Sequence, residues 1–146
     1  MTRYFHRFLS AVGVIFVLSG AAHADGHSDE SADDIQLLVE VTIKDGKEEA
    51  FQALMADMIT STQTEDGTLR YEFQRSGDLV HLQDRYADNA AAVAHMQSFG
   101  PNFGARFSDV FTSTRLVVYG PANEAVRAIF DPLGAVYFER VGGFRR

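Results

Sequence analysis

Cysteine is absent from this chain of 146 residues. That excludes disulfides, thiolate nucleophiles, cysteine-ligated zinc and iron–sulfur clusters. It also removes the thiol to which a bacterial lipoprotein anchor is attached. A domain of this size without cross-links must be held by packing, or by packing plus a partner subunit. Tryptophan is absent as well, and Lys44 and Lys47 are the only lysines. The formal charge is −7. Such a surface repels phosphate backbones and anionic headgroups, so neither nucleic acid nor a membrane surface is expected as a partner. No Gly-rich phosphate loop, dinucleotide fingerprint or nucleophile elbow is present. No cofactor and no metal site is therefore expected.

The start of the chain has its own logic. Arg3 and Arg7 precede an apolar run over residues 8–18, and Ala22-His23-Ala24 follows. Basic, apolar and small residues in that order predict a secretory signal, residues 1–24, cut after Ala24. The run is about half of the ~20 residues that span a bilayer. Periplasmic or secreted localisation follows. Removing the signal takes away two arginines and no acid, so the charge falls from −7 to −9. Residues 25–34 (DGHSDESADD) read as a disordered acidic linker.

From Ile35 the hydrophobic period alternates between two values. Residues 36–44 put Leu37, Val39, Val41 and Ile43 on one face of a strand. Phe51, Leu54, Met55, Met58 and Ile59 follow at helical spacing. Residues 68–75 and 79–86 read as a hairpin around Ser76-Gly77-Asp78. Asp88 is placed to cap a second helix over residues 90–97. Gly100-Pro101 is expected to break it and to open a further short helix carrying Phe103, Phe107, Val110 and Phe111. A strand over residues 113–119 completes a βαββαβ order. The expected fold class is α+β: a ferredoxin-like antiparallel sheet with helices on one face. The domain spans residues 35–146, with a C-terminal extension from about residue 121. That extension adds a helix over 123–130 and a strand over 135–141. The bare sheet face needs a cover, which a second subunit would supply.

Three stretches carry a resemblance. They are VEVTIKDGKEEAFQALM, then EDGTLRYEFQRS with HLQDRYAD, then AVAHMQS. Over about residues 35–119 the chain resembles the antibiotic biosynthesis monooxygenase (ABM) domain of the dimeric α/β-barrel superfamily. The resemblance implies a homodimer with a small aromatic molecule bound between sheet and helices. Active members include enzymes that oxidise phenols or quinols with O₂ and no prosthetic group. A side branch degrades haem and presses a tryptophan on the porphyrin; the missing tryptophan argues against that activity here. Asp84-Arg85-Tyr86 matches the family's acid-Arg-aromatic triplet, with Asp in place of the usual Glu. It reads as structural ion pairing and edge packing.

His95 is the leading candidate for catalysis. It shares a helix face with Ala91, Ala92, Met96 and Phe99, and the family often has a histidine at the matching place. Imidazole titrates nearest neutral pH, so it suits removal of a phenolic proton. Tyr71, His81, Phe99, Asn102, Phe103 and Arg106 are the candidate substrate contacts. Tyr71 offers a hydroxyl, the phenylalanines a flat apolar wall, and Asn102 and Arg106 a polar lip. Strand alternation puts His81 with Leu79, Gln83 and Arg85 and leaves its face open. Metal binding would need His81 and His95 to converge with a carboxylate. The expected function is an exported, cofactor-independent monooxygenase acting on a small phenol or quinol. The alternative is a non-catalytic periplasmic binding protein for a small hydrophobic or haem-like ligand. A third reading is a structural dimer with a filled interior.

Overall fold

The structure is a computed structural model that describes residues 32–144. The expected signal, residues 1–24, and residues 25–31 of the expected linker lie outside the described residues.

The elements run β1 (Ile35–Ile43), α1 (Glu48–Thr62), β2 (Thr68–Ser76), β3 (Leu79–Tyr86), α2 (Asn89–Val110), β4 (Phe111–Tyr119), α3 (Glu124–Phe130) and β5 (Val136–Phe138). The sheet order is β2-β3-β1-β4-β5. Every pairing is antiparallel except β4 with β5. This is the ferredoxin-like α+β fold with one added strand. β1 is central because its apolar alternation fits between two partners. Leu37 faces Asp84 and Val118 across the ladders, and Val39 faces Leu82 and Leu116. These residues form the face that the helices cover.

α1 lays Phe51, Leu54 and Met58 on that face, each 2% exposed or less. Each contributes about 1.5–3 kcal/mol by leaving water. They belong to a core with Val41, Ile43, Val80, Leu82, Val110 and Phe111. A second core collects Ile35, Leu37, Tyr86, Ala92, Val118, Val126 and Phe130. Val39 touches both cores. The cavity described below opens around this seam.

Three expectations are corrected. First, Gly100-Pro101 does not end a helix: α2 runs unbroken from Asn89 to Val110, with Pro101 inside it. Gly100, Pro101 and Asn102 are exposed, so water can satisfy the carbonyl that Pro101 leaves without a donor. Phe99, Phe103 and Phe107 pack on the core on both sides of it and hold the two halves in line. Second, the linker does not extend to residue 34. Asp34 is 4% exposed, and Arg85 Nε donates to its Oδ2 at 2.7 Å. Gly120 confirms how closely this segment packs. Its φ is +103°, and a Cβ there would collide with the Asp34 carbonyl oxygen. Third, β5 is limited to Val136–Phe138, shorter than the expected strand.

The cap on α2 is as expected, with Ala91 N donating to Asp88 Oδ1 at 2.8 Å. The extension is fastened to the same helix end. Asn89 Nδ2 donates to the Pro121 carbonyl, and Asn123 N donates to Asn89 Oδ1. α3 then buries Val126 and Phe130 on the helix-covered side. The opposite sheet face carries Glu40, His81 and Gln83, with half-exposed Tyr119 and Phe138 stacked on each other.

Candidate active site

A cavity of about 470 Å³ lies between the sheet and α2. Its volume falls within the range typical of small-molecule sites. Leu37 and Val39 of β1, Tyr71 of β2, Leu82 and Asp84 of β3 and Leu116 of β4 form the sheet side. His95, Met96, Phe99, Gly100, Gly104 and Phe107 form the helix side. Phe130, Leu133 and Gly134 close one end, so the extension is part of the wall. Ser113, Thr114 and Arg115 supply a polar edge, next to the point where the β1–β4 register shifts.

His95 is 5% exposed and is wedged among aromatic rings. Its ring centroid lies 5.5 Å from Tyr71, 5.2 Å from Tyr86 and 6.1 Å from Phe99. Its Nδ1 is 2.8 Å from Glu65 Oε2. Thr68 Oγ1 donates to that same carboxylate oxygen at 2.7 Å and fixes it. A carboxylate accepts only, so Nδ1 carries the proton and donates. In the neutral ring the lone pair then sits on Nε2, the nitrogen left for a ligand. An imidazole oriented in this way by a carboxylate can act as a base toward a bound molecule.

Asp84 and Tyr86 form a second polar group on the same floor. Asp84 is 4% exposed, and Tyr86 Oη donates to its Oδ2 at 3.2 Å. Oδ1 has no hydrogen-bond partner among the described residues. Burial pushes the Asp84 carboxyl up to about 7; the Tyr86 hydrogen bond and the charge of Arg70 pull the other way, and Glu65 adds to the rise. Burial likewise holds the phenols of Tyr71 and Tyr86 well above their ordinary range, with the Asp84 charge adding to it. Both tyrosines are neutral donors here. Tyr71 sits directly across the ladder from Asp84 and makes a hydrogen bond with Thr62.

Of the residues picked out from sequence, His95, Tyr71 and Phe99 line the cavity. The other four stand outside it. His81 lies on the opposite sheet face, 3.1 Å from Glu40 Oε2, because alternation sends Val80, Leu82 and Asp84 to the helix side. His81 and His95 therefore do not converge. Arg106 is drawn to α1, where it pairs with Asp57 at 2.8 Å. Asn102 turns onto its own helix and donates to the Ser98 carbonyl. Phe103 packs on the core, with its ring 6.2 Å from Phe99. Sequence reasoning missed Glu65 altogether, and it missed Asp84, which read as structural. For Asp84 a cue existed: it alternates with Val80, Leu82 and Tyr86 on a buried strand face. Nothing local in the sequence marked Glu65.

The sequence model described as antibiotic biosynthesis monooxygenase matches residues 35–107, half of the chain. The chain belongs to the antibiotic biosynthesis monooxygenase family. Solved structures with the ABM fold agree. MupZ from Pseudomonas fluorescens superposes with a TM-score of 0.72 at 24% identity, over 78% of this chain and 95% of that one. Rv0793 from Mycobacterium tuberculosis gives 0.56 at 27% identity, over 64% and 99%. SnoaB from Streptomyces nogalater, described as a cofactor-independent oxygenase, gives 0.53 at 14% identity, over 62% and 95%. No curated protein sequence matches the chain.

Proposed function

We propose that this ABM-family protein is a cofactor-independent monooxygenase that oxidises a small phenol or quinol. The observation that carries the reading is the Glu65–His95 pair set in the wall of an aromatic cavity. Family membership and the description of SnoaB as a cofactor-independent oxygenase support it. Nε2 of His95 accepts the phenolic proton, and Glu65 stabilises the imidazolium that forms. The bound ring becomes an electron-rich phenolate, which reduces O₂ directly. One oxygen atom enters the ring as a carbonyl and the other leaves as water; the substrate supplies all four electrons and the two hydrogens of that water, and ends as a quinone. Tyr71, held neutral, donates to an oxygen of the ring, while Phe99 and Phe107 pack on its faces.

The reading includes a homodimer closed over the free sheet face, where Tyr119 and Phe138 are 42% and 43% exposed. It also includes export, which rests on the order of residues in the first 24 positions. Sequencing the N-terminus of the protein recovered from the periplasm tests that part; Asp25 is the expected first residue.

Oxygen uptake by the purified, chelator-treated protein with a panel of hydroquinones tests the chemistry. Turnover should be lost in His95→Ala, while ligand affinity survives. Ligand binding with no uptake for any hydroquinone would replace this reading with a binding protein for a small hydrophobic molecule.

A further inference from the structure

Asp84 has a feature that the proton-transfer chemistry of His95 leaves unused. A carboxyl group, 4% exposed, sits in a cavity wall with one oxygen unpartnered among the described residues. An orphaned buried polar atom destabilises the fold, so its presence at a ligand site points to a ligand partner. The groups facing it are few. Tyr86 on its own strand donates to Oδ2. From β2 come Tyr71 and the Arg70 charge, and from the turn before β2 the Glu65 charge. His95 of α2 approaches through Tyr86, and Arg115 of β4 lines the cavity edge. Leu37, its partner on β1, offers nothing polar.

Burial outweighs Arg70 in this set and keeps the carboxyl protonated up to about pH 7. A neutral carboxyl has one O–H donor, and its carbonyl oxygen is the better acceptor. Oδ2 already accepts from Tyr86, which places the donor on Oδ1.

We propose that Asp84 is a specificity-determining residue: its Oδ1–H donates to a second oxygen of the ligand, so the cavity selects phenols that carry a hydrogen-bond acceptor elsewhere on the molecule. This rests on the reading of the cavity as a phenol site. It assigns the two ends of the ligand to two groups, the ionising hydroxyl to His95 and the acceptor to Asp84. A site built to pair with a polar group rejects the analogue that lacks it, because the site's own group is then left unpaired.

Two probes of like shape separate the terms: para-hydroxyacetophenone, which has a carbonyl, and para-ethylphenol, which does not. Calorimetric titration of the full protein at pH 6 should give about tenfold tighter binding of the acetyl compound. Asp84→Leu should abolish that preference, read as the ratio of the two affinities within the variant. Asp84→Asn should keep it, because an amide also donates. Raising the pH from 6 to 8 should erode the wild-type preference several-fold, since a carboxylate has no proton to give. The Asp84→Asn profile carries whatever the probes' own titration contributes, so only the difference between the two profiles counts. If Asp84→Leu does not fold, that difference decides alone. Equal binding of both probes by the wild type overturns the proposal and leaves the cavity reading intact. So does a preference that persists in Asp84→Leu or tracks pH identically in Asp84→Asn. Failure of both probes to bind overturns the proposal and the cavity reading together.

Discussion

Replacing Glu65 with glutamine keeps the volume and removes the charge, so it isolates what the carboxylate does for His95. In the native protein Nδ1 lies 2.8 Å from Glu65 Oε2, with the two side chains 5% and 22% exposed. A hydrogen bond to a charged group is worth about 1.5–3 kcal/mol. At 1.4 kcal/mol per decade, that favours the Nδ1–H tautomer by roughly ten- to a hundredfold. Glutamine can accept from Nδ1–H or donate to the other tautomer, so the bias should fall towards unity. The imidazolium also loses its counter-charge. A pair about 4 Å apart at an effective dielectric of 20 interacts by about 4 kcal/mol. Partial exposure of Glu65 screens about half of that, which leaves about 2 kcal/mol, or roughly thirtyfold in kcat. KM should change little, because Glu65 does not line the cavity. Long-range proton–nitrogen NMR reads the tautomer, and oxygen uptake with an accepted hydroquinone reads kcat. A wild-type ring that is mainly Nε2–H would refute the dyad. So would a kcat within threefold of wild type in a variant that melts normally.

Three further predictions concern stability and access. Asp84 titrates near 7 when folded, against 3.8 for a free side chain. Between those values the native state holds a proton that the unfolded chain has released, so stability should fall as pH rises from about 4 to 7 and level off above it. The ceiling on this loss is about 4 kcal/mol, and Asp84→Asn should flatten the slope in urea melts taken across that range. Gly104 lines the cavity, and a Cβ built on it meets nothing within 4 Å. Gly104→Leu should therefore hold or raise Tm by improving helix propensity, while filling the cavity and abolishing phenol binding in the same calorimetric assay. Asp34→Ala removes the carboxylate to which the buried Arg85 Nε donates and should cost about 1.5–3 kcal/mol in denaturant unfolding, although residue 34 precedes the stretch that matches the family.

The fold was legible because its signals are local. Leu37, Val39, Val41 and Ile43 alternate without interruption, and Phe51, Leu54 and Met58 keep helical spacing, so strand and helix follow from period alone. The errors arose where a local rule met tertiary packing. Gly100-Pro101 is a sound helix breaker in isolation, yet the aromatic contacts of Phe99, Phe103 and Phe107 outweigh one lost hydrogen bond. Asp34 read as the end of a solvated acidic run, because its partner Arg85 is far along the chain and the pairing exists only once β1 and β3 are side by side.

The site divides along the same line. His95 was found because helical phase put it on the core side, and Tyr71 because β2 alternates. Glu65 lies in a turn thirty residues before His95, and only closure of α2 over the sheet brings the two together. Asp84 is the instructive case. Alternation on β3 already placed a carboxylate among Val80, Leu82 and Tyr86, on the face that must be buried. Burying an unpaired carboxyl costs several kcal/mol, and the turns and caps that normally absorb aspartates are absent in mid-strand. A strand that carries such a residue loses stability unless another group meets the acid. Tyr86 meets one oxygen. The other has no partner among the described residues, and under the proposed specificity only a molecule that brings an acceptor there recovers that loss on binding.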